Sequence, residues 1–267
     1  MIIDAWIQHP TSRLISLPIF DSLRKWIKDH PTSEFPIDFT IQAMDEAEVE
    51  KALICAWESP SGSLVSNKEV YQWVEKYPDR LVGVAAVNLN TPMQAVRELR
   101  RCVKEYNFKA LRMLPWIWEK PCTHRLYYPL FAECVELNIP VCLQVGLTGP
   151  LMSSETGQPL HIERVALDFP ELKIVCGHIG YPWHNEMIVF ARKFPNVYID
   201  TSAYKTNRYP AELIQYMKGS GKHKVLFASD HPMITPKECL KNLDQLELSD
   251  EVKDLFLKKN TKKVFNL

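Results

Sequence analysis

Short apolar runs and longer amphipathic stretches alternate along the whole chain. The runs are "MIIDAW" (1–6), "KALICAW" (51–57), "RLVGVAAV" (80–87), "KALRML" (109–114), "PVCLQVG" (140–146), "KIVCGH" (173–178), "NVYIDT" (196–201) and "KVLFAS" (224–229). Short apolar runs bounded by turns read as buried strands. Between them lie "FTIQAMDEAEVE", "NKEVYQWVEKY", "PMQAVRELRRCVKEY", "LYYPLFAECVELN", "HIERVALDFP", "WHNEMIVFARKF" and "PAELIQYMKGSG". Each carries apolar residues at three-and-four spacing, as a helix covering a sheet does. A helical pair, "TPKECLKNLDQL" and "SDEVKDLFLKKN", follows the last strand. This alternation over 267 residues predicts an α/β protein, a (β/α)8 TIM barrel with residues 1–267 as a single domain. An open doubly wound sheet would more typically show a Gly-rich turn after its first strand, and "AWIQHPTSR" has none. The main irregularity runs from His9 to about Ile37, rich in Pro, Phe and Trp, and is predicted to be an insertion over the barrel mouth.

Strand parity then selects candidate chemistry. In a barrel alternate residues point inward, and the C-terminal strand ends line the mouth. In strand 1, Ile3, Ala5 and Ile7 form the helix-facing set, so Asp4, Trp6 and Gln8 point in. Strand 4 turns Arg112 inward with Ala110, and strand 5 turns Gln144 inward with Cys142. Strand 6 ends in His178 and strand 8 in Asp230. One mouth therefore receives Gln8, Arg112, Gln144, His178 and Asp230, with Trp6 deeper. Each has a structural alternative: Asp230 as a cap or turn residue, His178 as a core histidine, Gln8 and Gln144 as mutual partners, Arg112 ion-paired to Asp4 or Asp200. Their convergence on one barrel end favours a site, because buried charged and amide groups are costly there without a partner or ligand.

Charge and composition narrow the partners. The chain has 32 Lys and Arg against 32 Asp and Glu, so no electrostatic footprint for nucleic acid or an anionic membrane is present. No segment is apolar enough to span a bilayer, and Asp4 interrupts the first apolar run before it resembles a signal peptide. The seven cysteines include no Cys-x-x-Cys pair, and Cys55, Cys142 and Cys176 lie in apolar runs. That pattern predicts reduced, buried thiols in a cytoplasmic protein.

The residues resemble the amidohydrolase superfamily, in its amidohydrolase-2 branch, which includes aminocarboxymuconate-semialdehyde decarboxylase-like enzymes and pyrone dicarboxylate lactonases. The resemblance runs from "MIIDA" through "FPELKIVCGHIGYPW" and "FPNVYIDTSA" to "VLFASDHP" and "NTKKVFNL"; "GHIGYPW" and "SDHP" are its most specific parts. It implies a (β/α)8 barrel. Metal-binding members of this branch usually carry His-x-His or Glu-x-His after strand 1, histidines at strands 5 and 6 and an aspartate at strand 8. On this chain the last two are His178 and Asp230, whereas the other positions hold Trp6, Gln8 and Gln144. An indole has no lone pair for a metal, and an amide oxygen is a weaker ligand than imidazole. The expectation is therefore no metal, with a weakly held zinc, manganese or magnesium on His178 and Asp230 as the alternative. His9 and His231 are adjacent in sequence to the site but have the wrong parity.

The leading expectation is a small-molecule hydrolase of a carboxylated cyclic ester or amide. By the lactonase-like resemblance, Asp230 is its general base, with His178 and Arg112 holding an anionic carbonyl substrate. Gln8, Gln144, Trp6, Trp116 and Trp183 complete the substrate-binding candidates, and Trp118 accompanies Trp116 in "RMLPWIWEKP". The alternatives are a nonoxidative decarboxylase using a weakly held metal, and a degenerate barrel that binds a metabolite or partner without turnover. Specificity is assigned to loops such as 9–37 and 147–158, and the resemblance implies a homodimer.

Overall fold

In the computed structural model of the protein, residues 1–26 and 33–267 are described. Among the described residues ten strands occur in chain order: β1 (Ile2–Ile7), β2 (Val49–Cys55), β3 (Trp57–Ser59), β4 (Gly62–Val65), β5 (Leu81–Val84), β6 (Leu111–Met113), β7 (Val141–Gln144), β8 (Ile174–Gly177), β9 (Val197–Asp200) and β10 (Val225–Leu226). β1, β2 and β5 form one parallel set, and β10, β9, β8, β7 and β6 form another. Two seams join them. Ala85 bridges Leu111, and Ile7 bridges His231, with Arg112 N–H donating to Ala85 O at 2.7 Å and Ala5 N–H to Phe227 O at 2.9 Å. The result is the (β/α)8 barrel that the alternation predicted.

The barrel strands are almost continuously apolar because both faces are covered: Ile3, Leu53, Val141, Leu143, Ile174, Ile199 and Leu226 are all fully buried. The helices begin where their local chemistry says they should. Ser66 and Glu69 form a reciprocal cap on the helix Asn67–Lys76, and prolines open Pro92–Lys104 and Pro236–Leu240. The closing pattern "SDEVKDLFLKKN" departs from a plain helix. Between Asp250–Asp254 and Asn260–Phe265 the turn Leu255–Lys259 widens to π geometry. The Phe256 carbonyl accepts the Phe227 N–H at 3.1 Å, tying this turn to the end of β10.

Two features decide what covers the mouth. After β2 the chain makes an antiparallel hairpin, β3–β4, which the sequence reading did not anticipate. The insertion after β1 folds as the short helix Ser12–Ile15, the turn Pro18–Phe20 and the helix Asp21–Trp26; its 27–32 portion lies outside the described residues. It meets the 147–158 loop: Ser22 Oγ donates to Gly149 O at 2.6 Å, and Leu151 N–H donates to Ile19 O at 2.8 Å. Insertion and loop thus form one rim.

Candidate active site

Five strand ends deliver polar side chains to one cavity of about 300 Å³, lined by Gln8, Arg112, Gln144, His178 and Asp230 together with Phe20, Leu23, Trp57, Trp116, Met233 and Ile234 among others. Parity accounts for Gln8, Arg112, Gln144 and Asp230 but not for His178. In β8, Val175 and Gly177 share the inward face with Cys142 and Gln144, and a Cβ on Gly177 would meet Trp6 and Asp200. The expected inward series Ile174, Cys176 and His178 is therefore not formed, and His178 enters through its left-handed backbone. The backbone at these ends is strained. His178 (φ 63°), Ile179 (φ 62°), Ala203 (φ 65°) and Asp230 (φ 68°) all occupy the left-handed region. That conformation is unfavourable for non-glycine residues, most of all for β-branched Ile179, and such strain concentrates at functional sites.

Arg112 is the central cation. It is 2% exposed, and its guanidinium carbon lies 3.3 Å from the ring centre of Trp6 and 4.9 Å from that of Trp57. Nη1 donates to Gln8 Oε1 at 2.9 Å, while Nε has no hydrogen-bond partner. The ion pair with Asp4 or Asp200 that could have explained it structurally is not formed; among the described residues no carboxylate is within salt-bridge distance. Stacking between indole faces compensates part of its lost hydration, and among the described residues only Nη1 makes a hydrogen bond, which leaves Nη2 for an anion in the cavity that Arg112 lines.

Asp230 lies beside it. Gln8 Nε2 donates to Asp230 Oδ1 at 2.9 Å and to the Asp230 carbonyl at 3.1 Å, so one amide orients both Arg112 and Asp230. Burial raises the Asp230 carboxyl to about 6, against the opposing pull of Arg112 and the Gln8 hydrogen bond. His178 is held through Nδ1, 2.7 Å from Ser202 Oγ. Burial lowers it to about 4, with Asp200 pulling the other way, so it is neutral at physiological pH. The site therefore combines a permanent cation, a carboxyl that exchanges its proton near neutrality and an uncharged imidazole.

Not every candidate lines the cavity. Trp6 is fully buried beneath it, as a platform for Arg112 with its ring 5.3 Å from that of His178; its part is indirect. Trp183 is placed elsewhere. The tight turn His178–Gly180 carries the chain outward, and Trp183 sits half-buried at the start of the helix His184–Lys193. Trp116 does line the cavity, its Nε1 donating to Gln144 Oε1 at 2.5 Å, whereas Trp118 is buried behind it, near Ala56 and Leu114. His9 and His231 lie off the site, both approaching Thr40 Oγ1, at 2.8 and 3.3 Å. The sequence reading missed Trp57, although continuing the alternation of β2 from Leu53 and Cys55 would have found it. It also missed Ser202, whose only signal is its position two residues after Asp200.

A barrel whose C-terminal mouth gathers a guanidinium, a proton-exchanging carboxyl and an imidazole has the layout of a barrel enzyme. The chain belongs to the amidohydrolase family, in the amidohydrolase-2 branch: that family's model matches residues 59–267. A 2-keto-4-carboxy-3-hexenedioate hydratase of Sphingobium sp. is 22% identical, over 74% of this chain and 70% of its own. A gamma-resorcylate decarboxylase of Polaromonas sp. is 25% identical, over 73% of this chain and 76% of its own. Among solved structures, an uncharacterised TIM-barrel protein from Bordetella bronchiseptica aligns with a TM-score of 0.85 at 24% identity, covering 99% of this chain and 98% of the other. A dihydroxybenzoic acid decarboxylase from Polaromonas sp., solved with bound manganese and the inhibitor 2-nitroresorcinol, aligns with a TM-score of 0.78 at 19% identity, covering 100% and 97%.

The residues at this site do not fit a metal of that kind. Gln8 spends its oxygen on Arg112 and its amide protons on Asp230, and Gln144 turns its oxygen to Trp116. Trp6 offers no donor atom. Two ligands, His178 and Asp230, are left beside a buried guanidinium, whose charge would repel a second cation. Among the described residues no group of three or more His, Cys, Asp or Glu side chains is placed to hold an ion.

Proposed function

We propose that the protein is a nonoxidative decarboxylase of a small, flat, unsaturated carboxylic acid, with Arg112 supplying the positive charge of the site and Asp230 the proton. The observation that carries this reading is the buried, carboxylate-free guanidinium of Arg112 facing an apolar cavity beside Asp230. A carboxylate is the planar partner that a guanidinium binds best, and Trp57, Trp116 and Phe20 offer flat apolar walls. The lyase chemistry of the hydratase and decarboxylase relatives supports the same class.

The step balances without further reactants. Arg112 fixes the anion so that the carbon bearing the carboxylate lies against Asp230. The protonated carboxyl gives its proton to that carbon, and the bond to the carboxylate then breaks. Its electron pair restores the unsaturated system, and carbon dioxide leaves. Asp230 remains as a carboxylate, stabilised by Arg112 and the Gln8 N–H, until solvent reprotonates it.

The ionised share of Asp230 above pH 6 favours a second reading, in which the carboxylate activates water against a carboxylated cyclic ester or amide. A panel of aromatic and unsaturated acids and their lactones separates the two. Decarboxylation gives carbon dioxide and, in deuterium oxide, one deuterium at the former carboxylate carbon. Ring opening without carbon dioxide would replace the decarboxylase reading with the hydrolase. Tight binding without turnover, unaffected by Asp230→Asn, would overturn both in favour of a binding protein.

A further inference from the structure

At the end of β9, Asp200, Thr201 and Ser202 are fully buried against His178. Ser202 Oγ lies 2.7 Å from His178 Nδ1 and receives the His178 backbone N–H at 3.2 Å. Asp200 Oδ1 accepts the Ser202 hydroxyl and, at 2.9 Å, the Ser202 backbone N–H. Space for this arrangement comes from Gly177, where a Cβ would stand 3.3 Å from Asp200 Oδ2 and 3.1 Å from Trp6 Cζ3.

Counting protons fixes the direction of the chain. A serine hydroxyl has one proton to donate, and Asp200 Oδ1 takes it. Ser202 Oγ can then only accept from the imidazole. The proton of neutral His178 consequently sits on Nδ1, and Nε2, which has no hydrogen-bond partner among the described residues, carries a lone pair at the cavity.

We infer that Ser202 and Asp200 are positioning residues that hold His178 in its Nδ1–H tautomer, so that Nε2 accepts a hydrogen bond from an O–H or N–H of the bound molecule. With Arg112 this makes the site complementary to a ligand that is anionic at one point and a hydrogen-bond donor at another. That last step rests on the cavity being a substrate site; the tautomer does not.

The test uses the full-length protein labelled with 15N and needs no substrate. Long-range 1H–15N spectra at neutral pH report which ring nitrogen carries the proton, and comparison with His178→Gln identifies the His178 signals. Wild type is expected to show a pyrrole-like Nδ1 and a pyridine-like Nε2. Ser202→Thr, which keeps the hydroxyl, is expected to preserve that pattern. Ser202→Ala is expected to lose it, shifting the proton toward Nε2; so is Asp200→Ala, which frees the serine proton to turn toward Nδ1. A wild-type spectrum with the proton on Nε2, or an unchanged one in Ser202→Ala, overturns the inference. Ser202→Ala removes one oxygen and decides the matter whether or not Asp200→Ala folds. Because no turnover is involved, failure to detect carbon dioxide from any substrate would leave this result standing.

Discussion

Arg112 illustrates how a residue's role follows from what surrounds it. The indole of Trp6 beneath and Gln8 alongside hold the guanidinium without neutralising it. In Arg112→Met the attraction that holds the Asp230 carboxyl down is lost. Because the reaction uses the protonated carboxyl, the alkaline limb of the pH–rate profile is then expected to move to higher pH. The kcat/KM for an anionic substrate is expected to fall by about 100-fold or more, as when one side of a buried charge contact is removed. Steady-state rates across pH 5 to 9 check both; an unmoved limb would separate Arg112 from Asp230. At this scale the sequence was informative. Period-two alternation along β1, β6 and β7 is enough to bring Gln8, Arg112 and Gln144 to one end, whereas His178 follows an inward-facing Gly177 and reaches the site only through its left-handed backbone. What alternation cannot convey is which hydrogen bonds they make, because those depend on separations between distant strands.

The rim of the site is decided by elements. Gly146, two residues after β7, adopts φ 95°, and its N–H donates to Gly157 O at 2.7 Å. A Cβ there would come within 2.4 Å of the Tyr181 carbonyl, which accepts the Leu147 N–H at 2.6 Å. Gly146→Ala must therefore displace the 147–158 loop from the turn after β8, and with it the seat of the β1 insertion. The expected stability loss is about 1–3 kcal/mol by denaturant unfolding. A rise in KM larger than the fall in kcat is expected alongside it, because the rim closes over the ligand while the catalytic side chains stand on strands. An unaltered KM would mean that this loop does not shape the pocket. The sequence marked both segments as irregular but not their contact, since Ser22 and Gly149 are joined only through the closed barrel.

At the scale of the whole molecule, the barrel interior controls charge by desolvation. Asp4 is fully buried, accepts the Ser229 N–H at 3.0 Å and the Trp6 N–H at 3.2 Å, and leaves Oδ2 unpaired. Burial raises its carboxyl from 3.8 to about 7. Between those values the folded state binds more protons than the unfolded one, so Asp4 lowers stability as pH rises from about 4 to 7. His178 and His231, lowered by burial to about 4 and about 3, act in the opposite sense: the unfolded state holds their protons up to 6.5, so they raise stability across pH 4 to 6.5. In wild type these slopes oppose one another, with the raised carboxyl of Asp230 adding to that of Asp4. Asp4→Asn removes only the first. Its stability relative to wild type is expected to improve from pH 5 to pH 8 by up to about 3 kcal/mol, read from urea unfolding at the two pH values; a constant difference would show that Asp4 does not titrate there. The same interior carries its positive charge on Arg112. Exhaustive chelation followed by added manganese is therefore expected to leave both melting temperature and turnover unchanged, and a stoichiometric ion in metal analysis of the purified protein would contradict that.

By itself the sequence determined the architecture and the identity of the polar ring. The architecture and, His178 apart, the ring are consequences of local periodicity: 2.0 residues for strands buried in a barrel, 3.6 for the helices around it. It also determined that the inward positions of strands 1 and 5 hold Trp6, Gln8 and Gln144, not imidazoles or carboxylates, since residue type needs no coordinates. Only the tertiary structure decided that Arg112 stacks on Trp6, that Trp183 leaves the site through the turn after β8, and that Ser202 and Asp200 reach His178. Those contacts join residues from separate strands, and closing the barrel fixes their distances to tenths of an ångström, a precision at which hydrogen bonds form or fail and which no one-dimensional pattern records.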